Sequence, residues 1–234
     1  MPEISRRRLL SSLAVVPVAG VLGSRALAQA GVYGGGVPPK VAPGALPPPT
    51  PQTLLEMSAT ARERIRREHL PNVTLWTHDD KKVLFYDDLI KDRVVVLNFF
   101  YAKCEGICPG VTANLVKMQK LFNGRVGRDL FMYSLTLKPE HDNPQVLKEY
   151  ARTFDVGPGW TFLTGKMDDI DAVRRGIGFA YSDPVLDKDK SQHIGNIRYG
   201  NEPLMLWECC PGMTHPKYLV KEISYVFGPE EKRT

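Results

Sequence analysis

Long apolar runs are missing from this 234-residue chain. The stretch 9–22 near the N-terminus is broken by Ser11, Ser12, Pro17 and Gly20, and so falls short of the about 20 apolar residues that a membrane-spanning helix needs. A strong charge of either sign is also missing. Of the net charge of +5, residues 1–28 supply +3 through four arginines against one glutamate, which leaves +2 for the rest. No basic patch points to nucleic acid as a partner. Cysteine is scarce, at four residues, too few for a disulfide framework in a chain long enough to build its own core. Internal repeats are absent as well.

What is present begins with a leader-like N-terminus. Arg6, Arg7 and Arg8 precede the apolar stretch, and Ala26-Leu27-Ala28 forms a small-x-small cleavage site. The consecutive arginines after Ser5, followed by Leu9 and Leu10, match the twin-arginine variety. The expectation is a signal peptide over 1–28 and an exported, periplasmic protein. The alternative is an uncleaved membrane anchor, with association at the membrane surface. Residues 29–52 are rich in glycine and proline and read as a flexible linker with polyproline character.

Residues 53–234 have the size of one domain. The charged stretch 59–69 reads as a surface helix, 73–77 as a strand and 78–81 as a turn. Val94 to Phe100 (VVVLNFF) has the short, β-branched composition of a central strand buried on both faces. Helical spacing follows over 112–122, a second buried strand over 130–137, and a helix from Pro144 with Asn143 as its cap. A short strand near 161–163, a helix over 168–179, two strands at 194–199 and 204–209 turning at Gly200-Asn201, and a helix over 216–227 complete the pattern. This is an α/β sandwich with a mixed sheet, whose ligand site belongs at the carboxyl end of the central strands.

At such an end lies KCEGICP, with Cys104 and Cys108 four residues apart. At a loop-to-helix junction, two cysteines at this spacing could close a disulfide or share one ion as thiolates. The helix N-terminus favours the thiolate form. Structural zinc needs four ligands, and the usual partners are absent nearby. Two thiolates with an imidazole suit copper better. A structural disulfide remains the plain alternative.

KCEGICP after a buried strand, SLTLKPEHDNPQVLKEYARTF, GWTFLTG and HIGNIRYGNEPLMLW together resemble the SCO/SenC family. The resemblance implies a thioredoxin-like fold with helices on both faces of a mixed sheet. It also implies copper, Cu(I) or Cu(II), bound by Cys104, Cys108 and His193. The implied function is delivery of that copper to the binuclear site of cytochrome c oxidase. The implied partners are the oxidase's copper-bearing subunit and an exported thiol reductant that keeps the Cys104–Cys108 redox pair open. The alternatives are a thiol-disulfide oxidoreductase, which would be an enzyme, and a copper or redox sensor. Family members commonly carry an aspartate where this chain has Lys138, so a role attached to that carboxylate has no counterpart here.

The remaining candidates read as structural. His69, His78 and His141 sit in charged or turn-like sequence and are expected in solvent. Asp142 and Glu140 are expected to complement the dipole of the helix at Pro144. Cys209, Cys210, Met213 and His215 offer soft-metal ligands, but the favoured reading packs one cysteine under the sheet and leaves the others in a loop.

Overall fold

The computed structural model describes residues 50–188 and 195–227; the leader and nearly all of the proline-rich linker fall outside them. The sheet has seven strands: β1 (Thr74–Thr77), β2 (Lys82–Leu84), β3 (Val94–Phe100), β4 (Phe131–Thr136), β5 (Trp160–Gly165), β6 (Asn196–Asn201) and β7 (Leu206–Pro211). Their spatial order is β2-β1-β5-β4-β3-β6-β7. The central β5, β4 and β3 run parallel, and antiparallel strands flank them on each side. The helices are α1 (Pro51–His69), α2 (Ile107–Leu121), α3 (Pro144–Thr153), α4 (Met167–Gly176), α5 (Pro184–Lys188) and α6 (Pro216–Tyr225), with a π-helical turn at Phe85–Ile90.

Burial of β3 on both faces follows from its composition. Val96 and Phe100 face the core shared with α2, α3 and α6, while Val95, Leu97 and Phe99 face the one shared with α4 and the π-helical turn. Each such side chain, fully withdrawn from water, contributes about 1.5–3 kcal/mol. The polar residue in the run, Asn98, is satisfied across the parallel strands. Ser134 on β4 donates to its Oδ1 at 2.6 Å, and the Trp160 indole on β5 donates to Ser134 at 2.8 Å. A row of bonds thus replaces the water these groups lose.

Three local expectations are corrected. Helix α1 starts at Pro51, capped by the Thr50 hydroxyl, so the end of the expected linker is helical. Proline needs no N–H at a first helical position, and the cap satisfies one of the orphaned donors behind it. The hairpin between β6 and β7 turns after Asn201, not at Gly200-Asn201. Gly200 lies inside the strand because the Trp207 indole covers it; a Cβ there would sit 2.4 Å from the ring. Asn201 faces inward and donates to the Val226 carbonyl at 2.8 Å. Third, His78 is half-buried rather than solvated. Its Nδ1 accepts the Phe162 N–H at 3.0 Å, and its ring meets that of Phe162 edge-on. His69 and His141 are exposed as expected.

Glu202, just beyond Asn201, is fully buried at the other end of the sheet from the cysteines. Its carboxylate accepts from Arg62 at 2.9 and 2.6 Å, from the Tyr86 hydroxyl at 2.9 Å and from the Asp92 N–H at 2.8 Å. This network ties α1 to the sheet. No described helix is long and apolar enough to cross a membrane.

Candidate metal centre at the end of β3

β3 delivers its chain to the carboxyl end of the sheet, and the next residues form the site. The Tyr101 carbonyl accepts the Cys104 N–H at 3.2 Å, which turns the chain back toward the sheet. Gly106 then caps α2, so Cys108 lies in its first turn while Cys104 precedes it. The pair therefore sits astride the loop-to-helix junction that the sequence spacing implies, and Pro109 occupies a first-turn position where its missing N–H does no harm.

Both cysteines are buried, at 7% and 2% exposure. The sulfurs therefore lie just beneath the surface, deeper than an open binding mouth would place them. Their environments differ. For Cys104, burial opposes ionisation, but the Cys108 thiol, the Cys108 and Gly106 N–H groups and the Tyr101 hydroxyl donate to the sulfur and hold its pKa below the ordinary thiol value. Donors clustered at a helix N-terminus act in this way. Cys108 is pushed up to about 12, first by burial and then by its bond to Cys104. The two sulfurs are thus unequal: Cys104 is the easier to ionise, and the Cys108 S–H donates to it.

The surroundings hold this arrangement rigidly. Asp142 is buried rather than acting as a helix-dipole group. One of its carboxylate oxygens accepts the Ala102 N–H at 3.0 Å and the Thr136 hydroxyl at 2.5 Å, fastening the loop before Cys104 to the end of β4. Asn143 next to it caps α3 as the sequence implies, accepting the Val146 N–H at 3.0 Å. Beneath Cys108, the Thr112 and Tyr150 hydroxyls bond at 2.9 Å, and Tyr150 rests against Phe100, Phe154 and Phe162. Burial pushes the Tyr150 phenol up to about 12. Phe100 packs; Tyr101 both packs and bonds to Cys104.

His193, the third expected ligand, lies outside the described residues. Gly195, two positions later, lies against the site. A Cβ on it would meet the Ile107 side chain at 2.7 Å and that of Val111 at 3.3 Å, and its φ of +63° suits glycine. Its carbonyl accepts the Gly212 N–H at 2.9 Å.

Cys209 and Cys210 cannot share an ion as adjacent strand residues, because strand alternation sends their side chains to opposite faces of the sheet. Cys210 opposes Ile197 and packs on the same core as Cys104 and Cys108; burial pushes its thiol up to about 11. Cys209 is exposed opposite Arg198. Cys210 therefore packs, as the favoured reading has it, while Cys209 lies on β7 rather than in a loop. His215 caps α6, and Asn114 fixes the intervening loop by donating to the Gly212 and Thr214 carbonyls at 2.7 and 2.6 Å.

Among the described residues, no group of three or more His, Cys, Asp or Glu side chains is placed to hold an ion. The described donor set is two sulfurs, one favoured as thiolate, which suits a soft ion that takes its remaining ligand from elsewhere. Sequence reasoning missed Asp142, whose alternation within a loop carries no signal, and the hydroxyl of Tyr101.

The comparisons bear on the family and the fold. A family model described as SCO1/SenC matches residues 67–199. An SCO1 protein homolog of Bacillus subtilis is 32% identical over 93 residues, 39% of this chain and 47% of that protein. An SCO2-like protein of Rickettsia felis is 28% identical over 95 residues, 41% of this chain and 45% of its own length. The chain spans about half the length of these curated relatives. In fold it is similar to yeast Sco1 with copper bound, with a TM-score of 0.54 and 18% identity, covering 67% of this chain and 90% of that one. The thioredoxin-like architecture expected from the motifs is therefore the one observed, and the chain belongs to the SCO1/SenC family.

Proposed function

We propose that this protein is an exported copper carrier that takes copper through Cys104, Cys108 and His193 and passes it to the binuclear copper site of cytochrome c oxidase. The observation that carries this reading is the pairing of two unequal sulfurs at the end of β3, within one braced loop-helix junction. Gly195, just ahead of β6, rests on Ile107, the neighbour of Cys108, and the family resemblance supports His193 as the third ligand. The copper-bound yeast Sco1 structure supports the choice of ion. Cys104, as thiolate, receives the ion; Cys108 gives up its proton on joining; the imidazole completes a three-ligand set. Transfer to the oxidase's copper-bearing subunit follows as incoming ligands replace these sulfurs. The leader-like residues 1–28 support export by the twin-arginine route.

The test is a titration of the reduced protein with Cu(I) and Cu(II). One ion per chain with thiolate-to-copper absorption is expected. It should be abolished when both cysteines become serine and weakened at least about tenfold in His193→Ala, the loss of one ligand. Failure of the reduced wild-type protein to bind copper would overturn the reading.

A second reading rests on the inequality of the thiols. A low thiol beside a high one suits dithiol exchange, in which Cys104 attacks a partner disulfide and Cys108 resolves the mixed disulfide. The partner gains two electrons and two protons, and a Cys104–Cys108 disulfide forms here. A structure of BsSco, of a family named for cytochrome c oxidase assembly, was described for its disulfide switch; this chain shares its fold at 22% identity and a TM-score of 0.56. His193→Ala distinguishes the two, because only copper binding requires the imidazole.

A further inference from the structure

Lys138 stands just past β4, where its backbone is fixed at three points. Its N–H donates to Thr136 Oγ1 at 3.0 Å, and its carbonyl accepts the N–H groups of His141 and Asp142, each at 2.9 Å. The half-buried side chain sets its ammonium 4.3 Å from the centroid of the Tyr101 ring. A cation on a ring face is attracted by the ring's quadrupole, so this lysine has a preferred place. The same tyrosine supplies its carbonyl to the Cys104 N–H at 3.2 Å and its hydroxyl to the Cys104 sulfur. A fixed positive charge therefore lies one aromatic ring from the first sulfur. Lys103 and Glu105, on either side of Cys104, are exposed and of opposite sign. Their fields oppose each other and are screened by solvent.

We propose that Lys138 sets the oxidation-state preference of the cysteine site, favouring cuprous over cupric ion. The inference rests on the copper reading above. Two thiolates around Cu(I) carry a net charge of −1 and around Cu(II) none, and a neutral third ligand changes neither count. A nearby cation stabilises the first assembly and leaves the second almost unaffected. The buried Asp142 carboxylate acts in the opposite sense but is common to every variant below. Replacing Lys138 by aspartate reverses the local charge by two units, and by methionine removes one unit while keeping the apolar stem. Lysine and arginine both keep the cation, so arginine is the conservative control.

The experiment measures Cu(I) and Cu(II) affinities of the reduced protein by competition with chromophoric chelators, at low and high ionic strength. In Lys138→Asp the ratio of Cu(I) to Cu(II) affinity is expected to fall about tenfold at low salt, equivalent to about 59 mV in the one-electron copper couple. Lys138→Met should fall by about threefold, and Lys138→Arg should stay near wild type. Salt should shrink the differences, a dependence that a merely structural role would not produce. An unchanged ratio in Lys138→Asp, with copper still bound, overturns this inference and leaves the carrier reading standing. Absence of copper binding in the wild-type protein overturns both.

Discussion

Replacing Asp142 by alanine removes the acceptor for two buried donors at once, the Ala102 N–H at 3.0 Å and the Thr136 hydroxyl at 2.5 Å. The side chain is withdrawn from solvent, so water does not fill the role without a cavity. Bonds to a charged acceptor are worth about 1.5–3 kcal/mol each, and stranded donors cost a similar amount. Because the two effects overlap at one carboxylate, the expected loss for Asp142→Ala is about 3–5 kcal/mol. With an m-value of about 2 kcal/mol per molar urea, the unfolding midpoint should drop by about 2 M. Asp142→Asn keeps an acceptor oxygen and should lose about 1 kcal/mol, and Thr136→Val, which removes one donor and the acceptor of the Lys138 N–H, should lose about 1–3 kcal/mol. The double variant Thr136→Val with Asp142→Ala should fall short of the sum of the singles, since both remove the same bond. Equilibrium urea unfolding of the wild type and the four variants, followed by Trp fluorescence, supplies the cycle. An Asp142→Ala midpoint matching that of wild type would refute the idea that this carboxylate braces the cysteine loop.

Acid should act elsewhere. Burial raises the Glu202 carboxyl, but Arg62, the Asp92 N–H and the Tyr86 hydroxyl outweigh it and hold the carboxyl below its ordinary value of 4.5. A group lowered in the folded state contributes fully above its unfolded value and loses that contribution as pH falls through the folded one. Wild-type stability should therefore decline below pH 4.5 more steeply than that of Glu202→Gln, which should be the weaker protein at neutral pH; parallel acid limbs in urea midpoints would contradict this. Alkylation reports the thiols: with iodoacetamide near pH 7.5, Cys104 and exposed Cys209 should be modified well before Cys108 and Cys210, as read by peptide mass spectrometry. Faster labelling of Cys108 than of Cys104 would count against the site as described.

Much of the frame was legible because it depends on local pattern. The run Val94–Phe100 could be read as a strand buried on both sides from its composition, and it occupies the middle of the sheet with that burial. Asn143 and Pro144 announced α3 by a cap and a proline that act within four residues. The Cys104–Cys108 spacing placed the site at the end of β3. What escaped depends on contacts between distant segments. Asp142 looks like a polar residue before a helix until Ala102 and Thr136 are folded onto it. Gly200 looks like a hairpin turn until Trp207 is seen covering it. Glu202 acquires its meaning only from Arg62, 140 positions away. His78 likewise owes its burial to Phe162.

The pairing of β3 with β6, Val94 opposite Asn201 through Asn98 opposite Ile197, has a consequence for the growing chain. The ribosome makes both cysteines about ninety residues before the strand that seats Gly195 against Ile107 and Val111. For that whole interval the nascent polypeptide carries reactive sulfur with no finished cradle around it. The surroundings of the pair are therefore completed in one late step, when the last third of the domain closes over the first.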